Sequence, residues 1–276
     1  MNETCRVVQT RAGTPAILDL TTGEVMHPVG APGEESRDVY VAGSNLAARL
    51  SAGGDEPLVV LDVGLGAASN AIAAWNVSEG LGSTARPLWI VSFDNSLDPL
   101  RVALASDQAA SFGLDGDAGL AARSLLETCQ AVGSNTRWRF VQGDLPETLA
   151  AEPSGSADVV YWDMFSPKSD PRLWSVAMFR TLRRVCREGA TVHTYAASTA
   201  SRSALLLGGF AVGRGRNTGD RETTIAATSV EHLQEPLGER WLSRLSRSSA
   251  PFPVDAPSNA KDSLLAAPQF RGVLLL

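Results

Sequence analysis

Residues 58–70 read Leu58-Val59-Val60-Leu61-Asp62-Val63-Gly64-Leu65-Gly66-Ala67-Ala68-Ser69-Asn70. The stretch opens with four consecutive aliphatic residues, a pattern typical of a central strand in a parallel sheet, where both faces are buried. Two glycines follow, and a helical pattern runs from about Ser69 to Trp75. This order predicts an α/β fold with a ligand site at the glycine turn, because the helix N-terminus directs free N–H groups into that turn.

The glycine turn discriminates between two kinds of nucleotide cofactor. The dinucleotide pattern G-x-G-x-x-G requires glycine at its sixth position, which here is Ser69. A carboxylate just before the first glycine would repel a pyrophosphate, whereas it can bind the ammonium group of a methionine moiety. The turn is therefore similar to the first motif of S-adenosylmethionine-dependent methyltransferases, with Asp62, Gly64 and Gly66 as cofactor-binding candidates. A buried strand with an ordinary glycine turn stays open as the alternative.

Acidic residues also end the next predicted strands. The strand Pro87–Phe93 leads into Asp94-Asn95, one strand–helix–strand unit after Asp62. A carboxylate at this strand tip can accept both ribose hydroxyls of a nucleoside. The strand Arg137–Val141 leads to Asp144, where methyltransferases commonly place an acid that binds the adenine amine; a helix-capping role fits Asp144 equally well.

A fourth predicted strand, Ala157–Asp163, ends in an acid beside the glycine turn. Ligands of open α/β sheets bind at this carboxyl edge. We therefore expect Asp163 to contact the cofactor and to hold or deprotonate the attacking group. Capping of the next turn is the structural alternative for Asp163. The cofactor-binding candidates are thus Asp62, Gly64, Gly66, Asp94, Asn95, Asp144 and Asp163.

The remaining pattern predicts a seven-stranded, mostly parallel sheet with one antiparallel strand, the Rossmann-like arrangement of class I methyltransferases. Further strands are expected at 191–195, 208–212 and 222–228, the last two as an antiparallel hairpin. Helices are expected at 38–50, 99–132 with a break at 115–117, 174–185 capped by Gly189, and 198–207. A small N-terminal hairpin is predicted from Cys5–Gln9 and Ala16–Leu20, with a turn at 11–14 and a loop at 27–35.

Composition limits the class of protein. The chain has 276 residues, a net charge of −6 and three cysteines that suggest neither a disulfide framework nor a metal site. No secretory leader or membrane span is recognisable, so we expect a cytoplasmic enzyme. We divide it into an N-terminal hairpin and entry helix (1–50), a methyltransferase core (51–230) and a C-terminal wrap or partly ordered tail (231–276).

One loop resembles a known family. Residues 163–174 read Asp163-Met164-Phe165-Ser166-Pro167-Lys168-Ser169-Asp170-Pro171-Arg172-Leu173-Trp174. They are similar to the D-G-F-x-P-x-x-N-P-x-x-W loop of MnmC-type tRNA modification enzymes. Gly30-Ala31, Glu35-Ser36 and the entry segment 37–41 agree with the family in order and spacing. So do Gly208-Gly209-Phe210 and the closing Gly219-Asp220-Arg221-Glu222.

The resemblance implies methyl transfer from S-adenosyl-L-methionine to the aminomethyl nitrogen on the wobble uridine of certain tRNAs, without a metal. It implies that the acceptor contacts Met164, Phe165, Pro167 and Arg221. Met164 replaces the family's glycine and can reshape the acceptor pocket, and Asp170 replaces an asparagine. Asp220 stands where the family has a basic residue, which weakens a phosphate contact.

The partner remains open at the level of the sequence. Basic side chains outnumber acidic ones only after residue 145, and they form the candidate tRNA contacts Arg180, Arg183, Arg184, Arg187, Arg202, Arg214, Arg216 and Arg221. The acidic net charge argues against nonspecific binding of nucleic acid. The alternatives are a methyltransferase of a small-molecule amine or hydroxyl, a polyamine synthase, which shares this sheet, and a non-catalytic relative that binds the cofactor or a partner protein.

Overall fold

A computed structural model describes residues 4–10, 13–26 and 32–271. Its strands are β1 (Cys5–Gln9), β2 (Pro15–Asp19), β3 (Leu58–Val63), β4 (Leu88–Asp94), β5 (Gln130–Val132), β6 (Thr136–Gln142), β7 (Ala157–Trp162), β8 (Cys186–Thr194), β9 (Ala211–Arg214) and β10 (Thr224–Ala227). β1 and β2 form a separate antiparallel hairpin, and the other strands form one sheet in the order β5-β6-β4-β3-β7-β8-β10-β9.

The aliphatic stretch quoted above is the centre of this sheet, as predicted. All six residues of β3 are buried, and β3 pairs in parallel with β4 on one side and β7 on the other. Because the strands on both sides run the same way, their carboxyl ends meet at one edge of the sheet. The predicted class of fold, a Rossmann-like and mostly parallel sheet, is confirmed.

The predicted strand count needs a correction. The sheet has eight strands, of which β5 is antiparallel to β6 and β10 is antiparallel to both β8 and β9. The additional strand β5 has only three residues, two of them exposed. Such a short segment carries no periodic pattern, which is why the sequence placed it inside a helix.

The helices are α1 (Pro32–Glu35), α2 (Leu46–Ser51), α3 (Ser69–Leu81), α4 (Asp98–Ala105), α5 (Gly116–Thr128), α6 (Leu145–Ala151), α7 (Val176–Val185), α8 (Thr199–Leu207), α9 (Glu239–Arg247) and α10 (Ala260–Leu265). A π-helix covers Ser36–Ala42 and short 3₁₀ turns cover Ala109–Phe112, Pro171–Trp174, Val230–His232 and Pro268–Phe270. Within the described ranges, no helix has the length and apolar character needed to cross a bilayer.

Three helix predictions were wrong in detail. The segment 99–132 is interrupted earlier than expected, because Ser106 is extended and ends α4. Gly189 does not cap α7: it lies inside β8 with φ +81°, where the pairing register with β7 shifts. The helix predicted at 38–50 is split into the π-helix and α2, since Asn45 adopts a left-handed conformation.

The N-terminal hairpin is confirmed by the antiparallel pairing of β1 with β2. Two residues of its expected turn, 11 and 12, and residues 27–31 of the expected loop, including the Gly30-Ala31 match, lie outside the described residues. The rest of that loop, residues 32–35, is helical.

The C-terminal segment packs on the sheet. Leu264 and Phe270 are buried, and Phe270 stacks on Trp241 of α9 at a centroid distance of 5.8 Å. The side chain of Gln269 bonds to both the N–H and the carbonyl of Val212. This contact covers the edge strand β9, whose backbone would otherwise be open to pairing.

Candidate active site

A cavity of about 820 Å³ lies at the carboxyl edge of the parallel strands. Its walls come from the segments that follow β3, β4, β7 and β8, from the loop between β9 and β10, and from the N-terminal region. This is the edge at which the sequence predicted a ligand site. The volume lies in the range of roughly 300–1,000 Å³ that small-molecule sites occupy.

The glycine turn forms the floor of the cavity. Gly64 has φ +90°, and a Cβ there would lie 2.6 Å from the carbonyl oxygen of Asp163. Gly66 has φ +52°, and its N–H donates to Asp94 Oδ2 at 3.0 Å. Both glycines are therefore required by backbone conformation, and Gly64 also by close packing.

Asp94 ends β4 and lines the cavity, as the sequence predicted. Its carboxylate also accepts the N–H of Asn95 at 2.7 Å, and burial raises the pKa of the carboxyl group. Each carboxylate oxygen retains capacity for another hydrogen bond, so hydroxyl donors of a ligand can still bind there. Asn95 itself is exposed and is not among the residues that line the cavity.

Asp62 does not end β3, as expected, but lies within it, and Val63 continues the strand. The side chain is fully buried and accepts the hydroxyl of Ser92 at 2.7 Å. The pKa of Asp62 is raised to about 7: burial is the largest cause, the charges of Asp163 and Asp94 add to it, and the Ser92 hydrogen bond opposes it. The charges of Asp94 and Asp163 therefore act on Asp62, although of these three acids only Asp94 and Asp163 line the cavity.

Asp163 follows β7 directly and lines the cavity beside Gly64. Its backbone N–H bonds to the Val63 carbonyl at 2.9 Å, and Asn70 Nδ2 donates to its Oδ2 at 2.8 Å. The side chain that fixes Asp163 thus comes from the first turn of α3. Sequence reasoning missed Asn70, although it stands inside the quoted motif.

The loop after Asp163 is fastened from two sides. Tyr195, which follows β8, donates its hydroxyl to the Met164 carbonyl at 2.8 Å, and Trp174 Nε1 donates to the Phe165 carbonyl at 2.8 Å. Met164, Phe165 and Tyr195 line the cavity. Pro167 does not, so the structure separates it from the other expected acceptor contacts.

The N-terminal region supplies a wall that sequence reasoning missed. Glu24, Val25, Met26, Glu34 and Glu35 line the cavity. Glu24 accepts the hydroxyl of Ser166 at 2.9 Å and also bonds Ser169, so it ties the acceptor loop to the hairpin. The only sequence signal was Glu35 within the family's entry segment.

Asp144 and Asp170 lie outside the cavity wall. Asp144 stands before α6 and pairs with Arg172 at 3.4 Å. Asp170 accepts the Arg172 N–H at 3.0 Å and begins the turn Pro171–Trp174. The carboxylate of Asp170 also pairs with the Arg172 guanidinium at 2.8 Å, an ion pair that the family's asparagine could not make.

The candidate tRNA-binding arginines have different environments. Arg184 donates to the carbonyls of residues 149, 150 and 152, and Arg187 pairs with Asp158 at 3.3 Å. Arg202 is buried. The hydrogen bonds of Arg184 and the ion pair of Arg187 stabilise the fold, which corrects the assignment of these two arginines to a nucleic-acid surface. Arg221 lines the cavity together with Thr218, Gly219 and Asp220, and Arg180, Arg214 and Arg216 are exposed.

The residues present fit S-adenosyl-L-methionine. Asp62 Oδ1 and Asn70 Oδ1 are buried at the turn and have no hydrogen-bond partner among the described residues, so ammonium donors would satisfy them. Asp94 offers acceptors for hydroxyls, and two glycines expose bare backbone. In the part of the chain that the structure describes, no group of three or more His, Cys, Asp or Glu side chains could hold a metal ion.

A family model described as S-adenosyl-L-methionine-dependent methyltransferase matches residues 120–230. The match agrees with the fold and the cavity, which are those of a methyltransferase that uses S-adenosyl-L-methionine.

The chain is similar over most of its length to bacterial proteins of known name. The chain is 28% identical over 226 residues to the "tRNA 5-methylaminomethyl-2-thiouridine biosynthesis bifunctional protein MnmC" of Methylibium petroleiphilum, covering 79% of this chain and 34% of the relative. It is 33% identical over 216 residues to the protein of that name from Aromatoleum aromaticum, covering 74% and 32%. The chain thus spans about a third of the length of these relatives, and the resemblance to MnmC predicted from the sequence is confirmed.

Solved structures agree on the fold. The MnmC2 structure from Aquifex aeolicus superposes with a TM-score of 0.72 at 22% identity, covering 95% of this chain and 84% of that one. A probable spermidine synthase from Corynebacterium glutamicum gives a TM-score of 0.50 at 13% identity, covering 82% and 77%.

Proposed function

We propose that this protein transfers the methyl group of S-adenosyl-L-methionine to the aminomethyl nitrogen on a modified wobble uridine of tRNA. The observation that carries the proposal is the position of Asp163, held by Asn70 beside the glycine turn and facing a cavity with further acidic walls. The names of the MnmC relatives support an RNA acceptor.

The acids of the cavity suit an amine. Asp163, Glu24, Glu34 and Glu35 all line it, so a basic nitrogen that enters meets several carboxylates. When bound, S-adenosyl-L-methionine supplies an electrophilic methyl group. The task of the chain is to orient the nitrogen in line with that methyl group and to accept its proton, and we assign both to Asp163.

The proposed cofactor contacts follow from the cavity wall. Gly64 and Gly66 expose backbone, Asp94 receives hydroxyl groups, and Asp62 provides negative charge from beneath the turn. Met164 and Phe165 flank the acceptor, and Arg221, which also lines the cavity, contacts it as well. Neither Asn95 nor Asp144 lines the cavity, so their predicted cofactor contacts rest on the sequence alone.

The test is a methyl-transfer assay with purified protein, radiolabelled S-adenosyl-L-methionine and tRNA that carries the aminomethyl group. We expect label in the wobble nucleoside, and none in matched tRNA whose wobble uridine lacks the aminomethyl group. Tight cofactor binding without labelling of the aminomethyl tRNA would contradict the RNA acceptor. Such an activity would place the protein in the cytoplasm, where tRNA is modified.

A small-molecule amine is the second candidate acceptor. The bulky Met164, whose sulfur lies 3.1 Å from the position of a Cβ on Gly64, and the net charge of −6 favour it. Transfer of label to free amines but not to tRNA would establish this reading. Transfer of a propylamine group from the decarboxylated cofactor would instead reveal a polyamine synthase, and calorimetry without any cofactor binding would favour a protein with no transferase activity.

A further inference from the structure

A second cavity, of about 260 Å³, lies beside the loop between β9 and β10. Leu237 and Trp241 form part of its wall. The rest is lined by five arginines and one acid: Arg202, Arg214, Arg240, Arg244, Arg247 and Glu222. We refer to the five arginines as the arginine cluster. Among the described residues, Glu222 is the only acid that pairs with the cluster, at 3.2 Å from Arg202 and 3.6 Å from Arg244.

The sequence of α9 explains why the charges converge. Arg240, Arg244 and Arg247 recur at intervals of four and three residues, so they share one face of the helix. Leu242 and Leu245 occupy the opposite face and are buried, and the buried Trp241 lies at the border between the two faces, where it also lines the cavity. The helix is thus fixed by its apolar face and presents three guanidinium groups to the cavity.

Arg202 and Arg214 close the cavity from the other side. Arg202 is 1% exposed and bonds the Thr224 hydroxyl at 3.0 Å and the Thr223 carbonyl at 2.9 Å, in addition to Glu222. These bonds use three of the five N–H groups of a guanidinium. Burial lowers the pKa of Arg202, and the charges of Arg244 and Arg214 also lower it, although Glu222 counteracts them. The positive charge of the cluster is therefore only partly compensated within the protein.

The cluster lies on the same edge of the sheet as the active site. β9 runs in the direction of β8, since β10 is antiparallel to both, so Arg214 and Glu222 flank the loop at the carboxyl edge. The same loop contributes Thr218 to Arg221 to the wall of the cofactor cavity. One short loop thus separates the two cavities.

We propose that the arginine cluster binds backbone phosphate groups of the RNA whose modified nucleotide enters the active site. Planar guanidinium groups bind phosphate oxygens in pairs, and a set of them around one cavity forms a defined site rather than a diffuse basic surface. This inference rests on the proposed function only for the identity of the RNA. The proposal does not extend to Arg184 and Arg187, whose contacts stabilise the fold.

The test compares two double variants with equal loss of charge. Arg240→Gln/Arg244→Gln removes two exposed members of the cluster, and Arg101→Gln/Arg123→Gln removes two exposed arginines on α4 and α5. Binding of aminomethyl tRNA is measured by fluorescence anisotropy across salt concentrations. We expect the cluster variant to bind roughly 10- to 50-fold more weakly at 0.1 M salt, with a log–log salt slope reduced by about 1.5 to 2. The control should retain the wild-type slope within about 0.5.

Affinity for S-adenosyl-L-methionine and the unfolding temperature are measured on the same samples. The exposed single variant Arg247→Gln repeats the test if the double variant unfolds early; it should lower the slope by about 0.7 to 0.9. Equal slopes for cluster and control variants overturn the proposal, as does a wild-type protein that binds no RNA. Stabilisation by inorganic phosphate that the cluster variant loses, with unchanged RNA affinity, would assign the cavity to free phosphate and also overturn it.

A methylation assay separates this inference from the proposed function. Cluster-dependent RNA binding by a wild-type protein that transfers no methyl group leaves the inference standing and refutes the function. If wild type and cluster variant methylate tRNA with the same KM, the proposed function stands and the phosphate-binding role of the cluster is refuted.

Discussion

Replacement of Asp163 by asparagine tests the central assignment of the active site. The variant Asp163→Asn keeps the size of the side chain, and its amide oxygen can still accept the hydrogen bond that Asn70 donates at 2.8 Å. The backbone bond from residue 163 to Val63 is unaffected by the change. What disappears is one negative charge and one proton acceptor at the cavity wall.

The expected magnitude follows from the interaction that is lost. A hydrogen bond from an amine to a carboxylate contributes roughly 1.5–3 kcal/mol, which is the most that replacement by a neutral amide can remove through this bond. At 1.4 kcal/mol per factor of ten, loss of this bond alone should lower kcat/KM for the amine acceptor by up to about 10- to 150-fold. Because Asp163 is also assigned as the proton acceptor, the total loss can reach about 10⁴-fold.

The assay is single-turnover methyl transfer to aminomethyl tRNA, with cofactor affinity measured separately by calorimetry. Glu147→Gln, a change of the same charge at an exposed position on α6, is the matched control and should stay within about twofold of wild type. Turnover of Asp163→Asn within twofold of wild type, with normal folding, would remove Asp163 from the mechanism. An equal loss of cofactor affinity and turnover would reassign it to cofactor binding alone.

Three further changes address the turn, the loop and the buried acid. Gly64→Ala should abolish cofactor binding in calorimetry, because its Cβ would lie 2.6 Å from the Asp163 carbonyl oxygen; near-normal affinity would contradict the close packing. Glu24→Gln weakens the bond to Ser166 at 2.9 Å and should raise the KM of the acceptor several-fold with little change in cofactor affinity, so an unchanged KM would show that the hairpin does not position the loop. Asp62 has a pKa of about 7 in the fold and about 4 when unfolded, so the free energy of unfolding should fall as pH rises from 4 to 7; denaturant titrations of Asp62→Asn should lack most of this slope, and equal slopes would exclude Asp62 as its source.

The sequence predicted the parallel centre of the fold because its signal is local. A run of aliphatic residues, two glycines and a helix start all lie within residues 58–70, and each strand tip carries its own acid. Elements that depend on distant contacts were missed. β5 exists because it pairs with β6, and the bulge at Gly189 because β8 must match β7.

The candidate site was predictable to the same extent. Asp94 and Asp163 follow strands, so topology alone brings them to one edge. The N-terminal wall with Glu24 depends on how the hairpin docks on the loop after β7, which no periodicity encodes. The arginine cluster combines residues of α8, β9 and α9, and its members at 202, 240 and 247 meet only in the folded chain.

The two cavities at the carboxyl edge of the sheet carry opposite charges: acids line the active site, and arginines line the second cavity. Asp163 and Asp94 raise the pKa of Asp62, which means that the acids of the active site destabilise one another when no positive charge is bound. A sulfonium cofactor with an ammonium group relieves that repulsion, and a basic acceptor relieves it again. In the arginine cluster the imbalance has the opposite sign, with one acid for five guanidinium groups. An acceptor that combines a basic nitrogen with a phosphate backbone satisfies both cavities at once, whereas a free amine satisfies only the first.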